Sequence, residues 1–150
     1  MKKGYTLIEL ILVVSALLLI AAFGIARYNE FNERQNVQQT ADSFISNLRL
    51  IQAKALSGDK PQGCTTLVGW TVEFAPESYT MYADCSNGII ASTRVTVDVP
   101  ENVTISPASG TRTYFALGRR TSADQTVKFE GGAIKVEVIL SANSITKKTL

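Results

Sequence analysis

Few residues in this chain of 150 amino acids have the type and spacing that catalysis or metal binding requires. The sequence contains no histidine, which excludes a Ser-His-Asp or Cys-His nucleophile system and a metal bound through imidazole. Cys64 and Cys85 are too few for a four-cysteine zinc or iron–sulfur site and lack CxxC spacing. A formal charge of +2 lacks the basic excess of a general nucleic-acid binder. We therefore expect no enzyme, no catalytic residue, no metal and no cofactor.

Glu9 is chemically notable because it is the single charge in an apolar run. Residues 5–26 include 18 hydrophobic residues out of 22. At about 1.5 Å per residue, a helix over residues 6–26 spans about 30 Å, the hydrocarbon thickness of a bilayer. A carboxylate at mid-bilayer costs roughly 2.5–3.5 kcal/mol, and less near the edge, so such a residue usually has a partner and a function.

The apolar run must position Glu9, and three interpretations of the run compete. A cleaved secretory signal has a shorter apolar run of about 7–15 residues, and residues 22–24 are a weak cleavage site. An ordinary membrane anchor explains every feature except Glu9. The third interpretation gives the carboxylate a role in assembly. Lys2 and Lys3 flank the start of the run, so the positive-inside rule predicts a cytoplasmic N-terminus and export of the remainder.

A specific motif occupies the first ten residues. A basic leader that ends in Gly4 is followed by Tyr5, by Thr-Leu-Ile-Glu-Leu over residues 6–10, and by the apolar run. This segment resembles the N-terminal signature of type IV prepilins and type II secretion pseudopilins. Tyr5 departs from the commoner phenylalanine, and the family tolerates other residues there.

The resemblance implies processing and assembly. Prepilin peptidase is expected to cut between Gly4 and Tyr5 on the cytoplasmic face and to N-methylate Tyr5. Because Gly4 has no side chain, a protease can approach the scissile backbone closely. Glu9 is then expected to pair with the α-ammonium of a neighbouring subunit, which in a low-dielectric bundle offsets its desolvation cost. The alternative is a protonated Glu9 with no role in the membrane.

An amphipathic second half of the same helix is predicted by the spacing of apolar residues. One stripe repeats at intervals of three and four positions and comprises Val37, Ala41, Phe44, Leu48, Ile51 and Ala55. No proline interrupts residues 5–57, and Gly58 suits a left-handed cap. We therefore predict one helix over residues 5–57, whose stripe packs on a globular head.

Beyond Pro61 the pattern changes from helical to alternating, which predicts antiparallel strands compatible with two small sheets. The predicted strands are Thr66–Phe74, Tyr79–Ala83, Arg94–Val99, Thr113–Leu117, Thr126–Glu130 and Ile134–Leu140. The predicted fold class is α+β, with a long N-terminal helix packed on a small antiparallel β-sheet head. We expect a leader at residues 1–4, a transmembrane and assembly half-helix at 5–27, and an exported head at 28–150.

Whether Cys64 and Cys85 are expected to form a disulfide depends on whether the head is exported. In an exported head a disulfide is the default, and it would stabilise the head by about 3 kcal/mol in the chain-entropy model. Two free thiols would be expected only if the head stayed in the cytoplasm, which the basic leader argues against.

Arg119 and Arg120 form the one basic spot suited to a ligand. In one interpretation these arginines sit on a hairpin tip and contact DNA phosphates. In the favoured one they are solvated or contact another subunit, because Asp124 weakens the local field and no aromatic residues alternate with them for base stacking.

The order of elements gives a looser resemblance. The long helix, the strands, residues 114–120 and a late strand over residues 135–141 resemble the GspH/FimT-like class of minor pilins and pseudopilins, although Asn143 stands where a turn glycine is more usual. This implies a structural subunit of a type IV pilus or a type II secretion pseudopilus. Its expected partners are other subunits, prepilin peptidase and the inner-membrane assembly platform.

The implied location is the inner membrane with a periplasmic head, followed by incorporation into the fibre. Two alternatives stay open for the role of the subunit. One is a major pilin, and the other is a DNA-binding minor pilin of a DNA-uptake pilus.

Overall fold

A computed structural model describes residues 6–118, 123–141 and 144–150, and within the helix the side chains of residues 22–26 lie outside the description. The described backbone forms a long α-helix, α1 (Leu7–Ser57), followed by β-strands and two short 3-10 turns. The chain divides into two compact units, Met1–Asn32 and Glu33–Leu150. We predicted that residues 5–27 cross the membrane; among the described residues, no helix combines the length and the apolar character that a membrane crossing requires.

Helix α1 ends at Ser57, as predicted, because Gly58 adopts a left-handed conformation with φ of 68°. The Gly58 N–H donates to the Ala55 carbonyl at 3.2 Å, and the Asp59 N–H donates to the Lys54 carbonyl at 2.9 Å. These two bonds make a Schellman motif, which satisfies carbonyls that the last turn of a helix otherwise leaves free. A left-handed residue is needed at this position, and glycine adopts that conformation without steric cost.

The strands form two antiparallel sheets, both in the second unit. They are β1 (Leu67–Phe74), β2 (Ser78–Cys85), β3 (Gly88–Ile89), β4 (Val95–Asp98), β5 (Thr104–Ser106), β6 (Gly110–Phe115), β7 (Gln125–Gly131), β8 (Ile134–Leu140) and β9 (Ile145–Thr149). The first sheet has the order β3-β2-β1-β6, with β4 also paired to β2. The second sheet has the order β5-β7-β8-β9. The predicted α+β class is confirmed.

The strand predictions agree with the structure to different degrees. Strand β8 has its predicted bounds, Ile134–Leu140. Strand β6 begins three residues earlier than predicted, and the predicted end at Leu117 is wrong because residues Ala116–Gly118 form a 3-10 turn. Leu117 has a φ of 59° in that turn, a conformation that a strand cannot accommodate. Strands β3, β5 and β9 were not predicted.

The apolar stripe of α1 forms one core with both sheets. Each of its six residues is at most 2% exposed. The ring of Phe44 packs on Tyr79 of the first sheet and on Phe129 of the second, with ring centroids 5.0 and 5.2 Å apart. One buried aromatic side chain therefore joins the helix to both sheets.

Polar contacts at the rim of this core tie α1 to each sheet. The Asn47 side-chain amide donates to the Tyr79 hydroxyl at 2.7 Å. The Lys147 ammonium of β9 contacts the Asp42 carboxylate at 2.7 Å. At the end of β7, a Cβ added to Gly131 would lie 2.6 Å from a Val37 methyl, so the β7–β8 hairpin sits directly on the helix.

The second sheet also carries cross-strand ion pairs on its solvent face. Lys128 of β7 stands opposite Glu137 of β8, with 2.9 Å between ammonium and carboxylate. Glu130 stands opposite Lys135 with a separation of 3.3 Å. Opposite charges that face each other in this way stabilise the register of the two strands.

The substitution Phe44→Ala is expected to lower the free energy of unfolding by about 3–5 kcal/mol, because the cavity would border both sheets. The measurement is urea unfolding of the detergent-solubilised chain, followed by fluorescence of Trp70, its single tryptophan. Leu50→Ala is the matched control, since Leu50 is 53% exposed on the same helix and should change stability by less than about 0.5 kcal/mol. Equal losses in the two variants would contradict the role given to Phe44.

Candidate assembly surface and processing site

The first half of α1 presents a contiguous apolar surface. Every large apolar side chain described between Leu7 and Ile20 is exposed, from 47% at Val14 to 78% at Leu7. We call these residues the apolar surface of α1: Leu7, Ile8, Leu10, Ile11, Leu12, Val13, Val14, Leu17, Leu18, Leu19 and Ile20. They cover all sides of the helix, because few polar residues separate them. A soluble monomer rarely exposes so extended an apolar patch, so this surface fits an apolar partner.

Ser15 interrupts the apolar surface without creating a need for a polar partner. Its hydroxyl contacts the Ile11 carbonyl at 2.8 Å and the Leu12 carbonyl at 3.0 Å, within its own helix. This back-bonding satisfies the serine inside an apolar environment.

Glu9 lies in the first turn of α1 and contacts Thr6. Its Oε2 atom is 3.4 Å from the Thr6 backbone nitrogen and 3.4 Å from the Thr6 hydroxyl, while its own N–H donates to that hydroxyl oxygen at 3.4 Å. This reciprocal arrangement is a capping box. Sequence reasoning treated Glu9 as a charge alone and missed this contact, although the spacing Thr-x-x-Glu is the pattern of such a box.

Four residues with predicted roles lie outside the described part of the chain. They are the two residues of the predicted cleavage site, Gly4 and Tyr5, and the two arginines considered for DNA contact, Arg119 and Arg120. Their roles stay predictions.

Cys64 and Cys85 form a disulfide, as predicted, and both are buried. The bond joins the loop before β1 to the end of β2. The Asn87 side chain supports the same loop, since its oxygen accepts the Thr65 N–H at 3.1 Å and its amide donates to the Gly63 carbonyl at 2.9 Å. The covalent bond and these hydrogen bonds hold the start of the first sheet.

Arg112 of β6 is fully buried, and sequence reasoning gave it no role. Its Nη1 atom donates to the Ala123 carbonyl at 3.1 Å and to the Leu140 carbonyl at 3.0 Å, and Nη2 donates to the Ser141 carbonyl at 2.7 Å. These acceptors lie next to β7 and at the end of β8. The guanidinium therefore ties the first sheet to the second. The sequence did contain a signal that Arg112 is buried: side chains alternate along β6, so residue 112 lies on the same face as Tyr114.

Tyr114 is buried beside Arg112, with the guanidinium carbon 5.4 Å from the centre of its ring. Burial raises the pKa of the Tyr114 phenol above its ordinary value, and the positive charge of Arg112 opposes this rise without cancelling it. On the same sheet, burial and then the Glu73 and Asp84 charges raise the pKa of Tyr82, against the opposing Arg94 charge.

The described residues contain no cluster of three or more acidic or cysteine side chains arranged to hold a metal ion. Two shallow clefts of about 180 and 320 Å³ share residues Asp98, Val99 and Pro100. Glu77 and Glu101 also line the larger cleft, which gives it an acidic character.

A long N-terminal helix whose second half packs on antiparallel sheets is a pilin-like α+β arrangement. The chain is similar to the type IV major fimbrial protein FimA of Dichelobacter nodosus, with 32% identity over 71 residues. The similarity covers 47% of this chain and 43% of that relative, so the chain matches less than half of the length of the relative. No protein-family model matches the chain, and no solved structure matches it significantly. The similarity supports a relationship to type IV pilins and does not address the GspH/FimT-like class.

The raised pKa of Tyr114 predicts a loss of stability in alkali. Above pH 10, about the pKa of an unfolded tyrosine, the unfolded chain releases a proton that folded Tyr114 retains, so ionisation favours unfolding. The stabilisation is complete below that pH and is lost as the pH rises through the folded pKa. Urea unfolding between about pH 8 and 11 should therefore show a smaller decline for Tyr114→Phe than for the wild type.

Tyr28→Phe is the control for that experiment, because Tyr28 is 64% exposed. It should follow the wild-type decline. A Tyr114→Phe variant with the same alkaline decline as the control would contradict the assignment to Tyr114.

Proposed function

We propose that this chain is a structural subunit, a minor pilin or pseudopilin, of a type IV pilus or type II secretion pseudopilus. It joins the fibre through the apolar surface of α1. The observation that carries the proposal is the exposure of eleven large apolar side chains on all sides of the helix. A helix that is apolar all round belongs inside a bundle or another apolar environment, and each Å² that it buries contributes about 25 cal/mol.

The similarity to a fimbrial protein supports copies of pilin-like chains as the partners of this surface. Parallel packing of such helices would bury the apolar side chains against one another.

Processing is part of the proposal. Prepilin peptidase cuts between Gly4 and Tyr5 and N-methylates Tyr5, and the subunit is added to the fibre at the inner-membrane assembly platform. Glu9 then pairs with the new α-ammonium of a neighbouring subunit. The N-terminal motif supports this step, as does the position of Glu9 as the one charged side chain described between Leu7 and Ala21.

A major pilin is the second candidate, because the relative in Dichelobacter nodosus is named a major fimbrial protein. The absence of proline from residues 5–26 favours the minor pilin or pseudopilin, since many major pilins have a proline late in the apolar half. The proportion of this chain in purified fibres decides between the two roles.

Mass spectrometry of the chain from its native cells should find a mature N-terminus at N-methylated Tyr5. The physical reason is that glycine at position 4 has no side chain to obstruct a peptidase at the scissile bond. A chain that retains Met1, or one cut near residue 24, would exclude this processing.

The substitution Leu17→Asp should reduce the fibre recovered by ultracentrifugation at least about tenfold, because it buries an unpaired charge in the helix bundle. Leu50→Asp is the matched control, since both leucines lie on α1 and are 60% and 53% exposed. The control should assemble to near the wild-type amount. Fibre mass is divided by the amount of mature chain from an immunoblot, and equal losses in both variants would count against the apolar surface as the interface.

A further inference from the structure

We propose that Thr6 is a positioning residue for Glu9: the capping box that the two residues form fixes the start of α1 and orients the carboxylate for subunit addition. This inference rests on the proposed fibre function, and it adds an intrachain role to a residue that was otherwise considered only as one half of an intersubunit pair.

Thr6 is engaged through all of its polar groups. Its backbone N–H and its hydroxyl contact Glu9 Oε2, and its hydroxyl oxygen accepts the Glu9 N–H, each at 3.4 Å. Its carbonyl accepts the N–H groups of Glu9 at 3.1 Å and of Leu10 at 3.2 Å. Since α1 begins at Leu7, Thr6 occupies the N-cap position and Glu9 the third helical position, as a capping box requires.

The environment of the proposed fibre makes this box more important than it would be in water. The first turn of a helix leaves four N–H groups without a partner inside the helix. On a surface protein, water satisfies them, but in an apolar bundle each unsatisfied group carries a large free-energy penalty. The apolar side chains of Leu7, Ile8 and Leu10 surround this turn and would bring it into such a bundle. Thr6 and Glu9 satisfy two backbone N–H groups there without an outside partner.

The same contacts leave part of the carboxylate available. Both contacts from Thr6 go to Oε2, and among the described residues no donor contacts Oε1. An ionised carboxylate has about four acceptor sites on its two oxygens, so Oε1 can accept the α-ammonium of a neighbouring subunit while Oε2 stays with Thr6. Because the box restricts the side-chain rotation of Glu9, the acceptor is already oriented when that ammonium arrives.

Two substitutions at Thr6 distinguish the effect of its hydroxyl group from the effect of its branched side-chain shape. Thr6→Val keeps the branched shape and removes the hydroxyl, while Thr6→Ser keeps the hydroxyl and removes the methyl group. Valine is a poor N-cap residue and serine is a good one. At the partner position, Glu9→Gln retains an acceptor for the box and removes the charge that would pair with the ammonium.

The experiment expresses each full-length variant in the native cells and measures fibre mass per mature chain. Thr6→Val should reduce fibre about five- to tenfold, the effect of losing one capping contact, while Thr6→Ser should stay near the wild type. Amide hydrogen exchange on the full-length chain in detergent provides the second measurement. The Glu9 amide of the first turn should exchange faster in Thr6→Val, because only the Thr6 carbonyl remains as its acceptor, and at the wild-type rate in Thr6→Ser and Glu9→Gln.

Three outcomes would overturn the inference. The first is a Thr6→Val chain that assembles as well as Thr6→Ser. The second is unchanged first-turn exchange in Thr6→Val. The third is a Thr6→Val chain that is no longer cut between Gly4 and Tyr5, because Thr6 would then act on the peptidase. Failure of the proposed function looks different: the wild type would form no fibre, or Leu17→Asp would assemble as well as Leu50→Asp.

Discussion

The contact of the α1 stripe with both sheets is the constraint on which the second unit depends. Small antiparallel sheets have an apolar face that needs a cover, and neither sheet closes on itself. Phe44 meets this need in both directions, since its ring packs on Tyr79 and on Phe129. The head therefore includes the helix as its core layer. The same helix carries two apolar regions. The stripe is buried within the chain, and the large apolar side chains over Leu7–Ile20 are exposed.

Polar groups add a second connection between the sheets, beside the apolar core that both sheets share. The guanidinium of Arg112 is held by backbone carbonyls of Ala123, Leu140 and Ser141. Burial of a charge carries a desolvation penalty, and several hydrogen bonds to oriented carbonyl dipoles offset part of it. What Arg112 contributes is a fixed geometry, because a planar guanidinium with fixed donors can bind its acceptor carbonyls in only a few arrangements. The apolar stripe provides most of the cohesion, and Arg112 restricts how the sheets meet.

The parts of the fold that a sequence pattern could reveal are those with a repeated period. The stripe from Val37 to Ala55 repeats over five turns, and every member is buried. Strand β8 alternates fully and was predicted with its bounds. Strand β5 has one buried residue and β9 has none, so their pairing comes from neighbouring strands rather than from their own composition. Strand β3, with two residues, is too short to show a period.

The candidate site also has parts that could be predicted from the sequence and parts that could not. The N-terminal motif singled out Glu9 as a candidate because residue type, order and position agreed, and its assembly role stays a prediction. The disulfide, which is confirmed, followed from the expected export. The alternation of β6 could have indicated that Arg112 is buried, but its role could not be predicted, since its partners are carbonyls that only the tertiary fold brings together. The Thr6 contact was accessible in principle, because a capping box is a local pattern over four residues. It was missed because the carboxylate was considered for its charge and not for its geometry.

The cross-strand ion pairs of the second sheet bear on how crowded heads would behave. Lys128 with Glu137, and Lys135 with Glu130, place opposite charges side by side. Lys148 also stands opposite Glu137, so these five side chains carry one more positive than negative charge. The field of so small an excess is screened beyond a Debye length of about 8–10 Å. In the proposed fibre, neighbouring heads would then interact through this face only at close range, and salt would weaken that interaction.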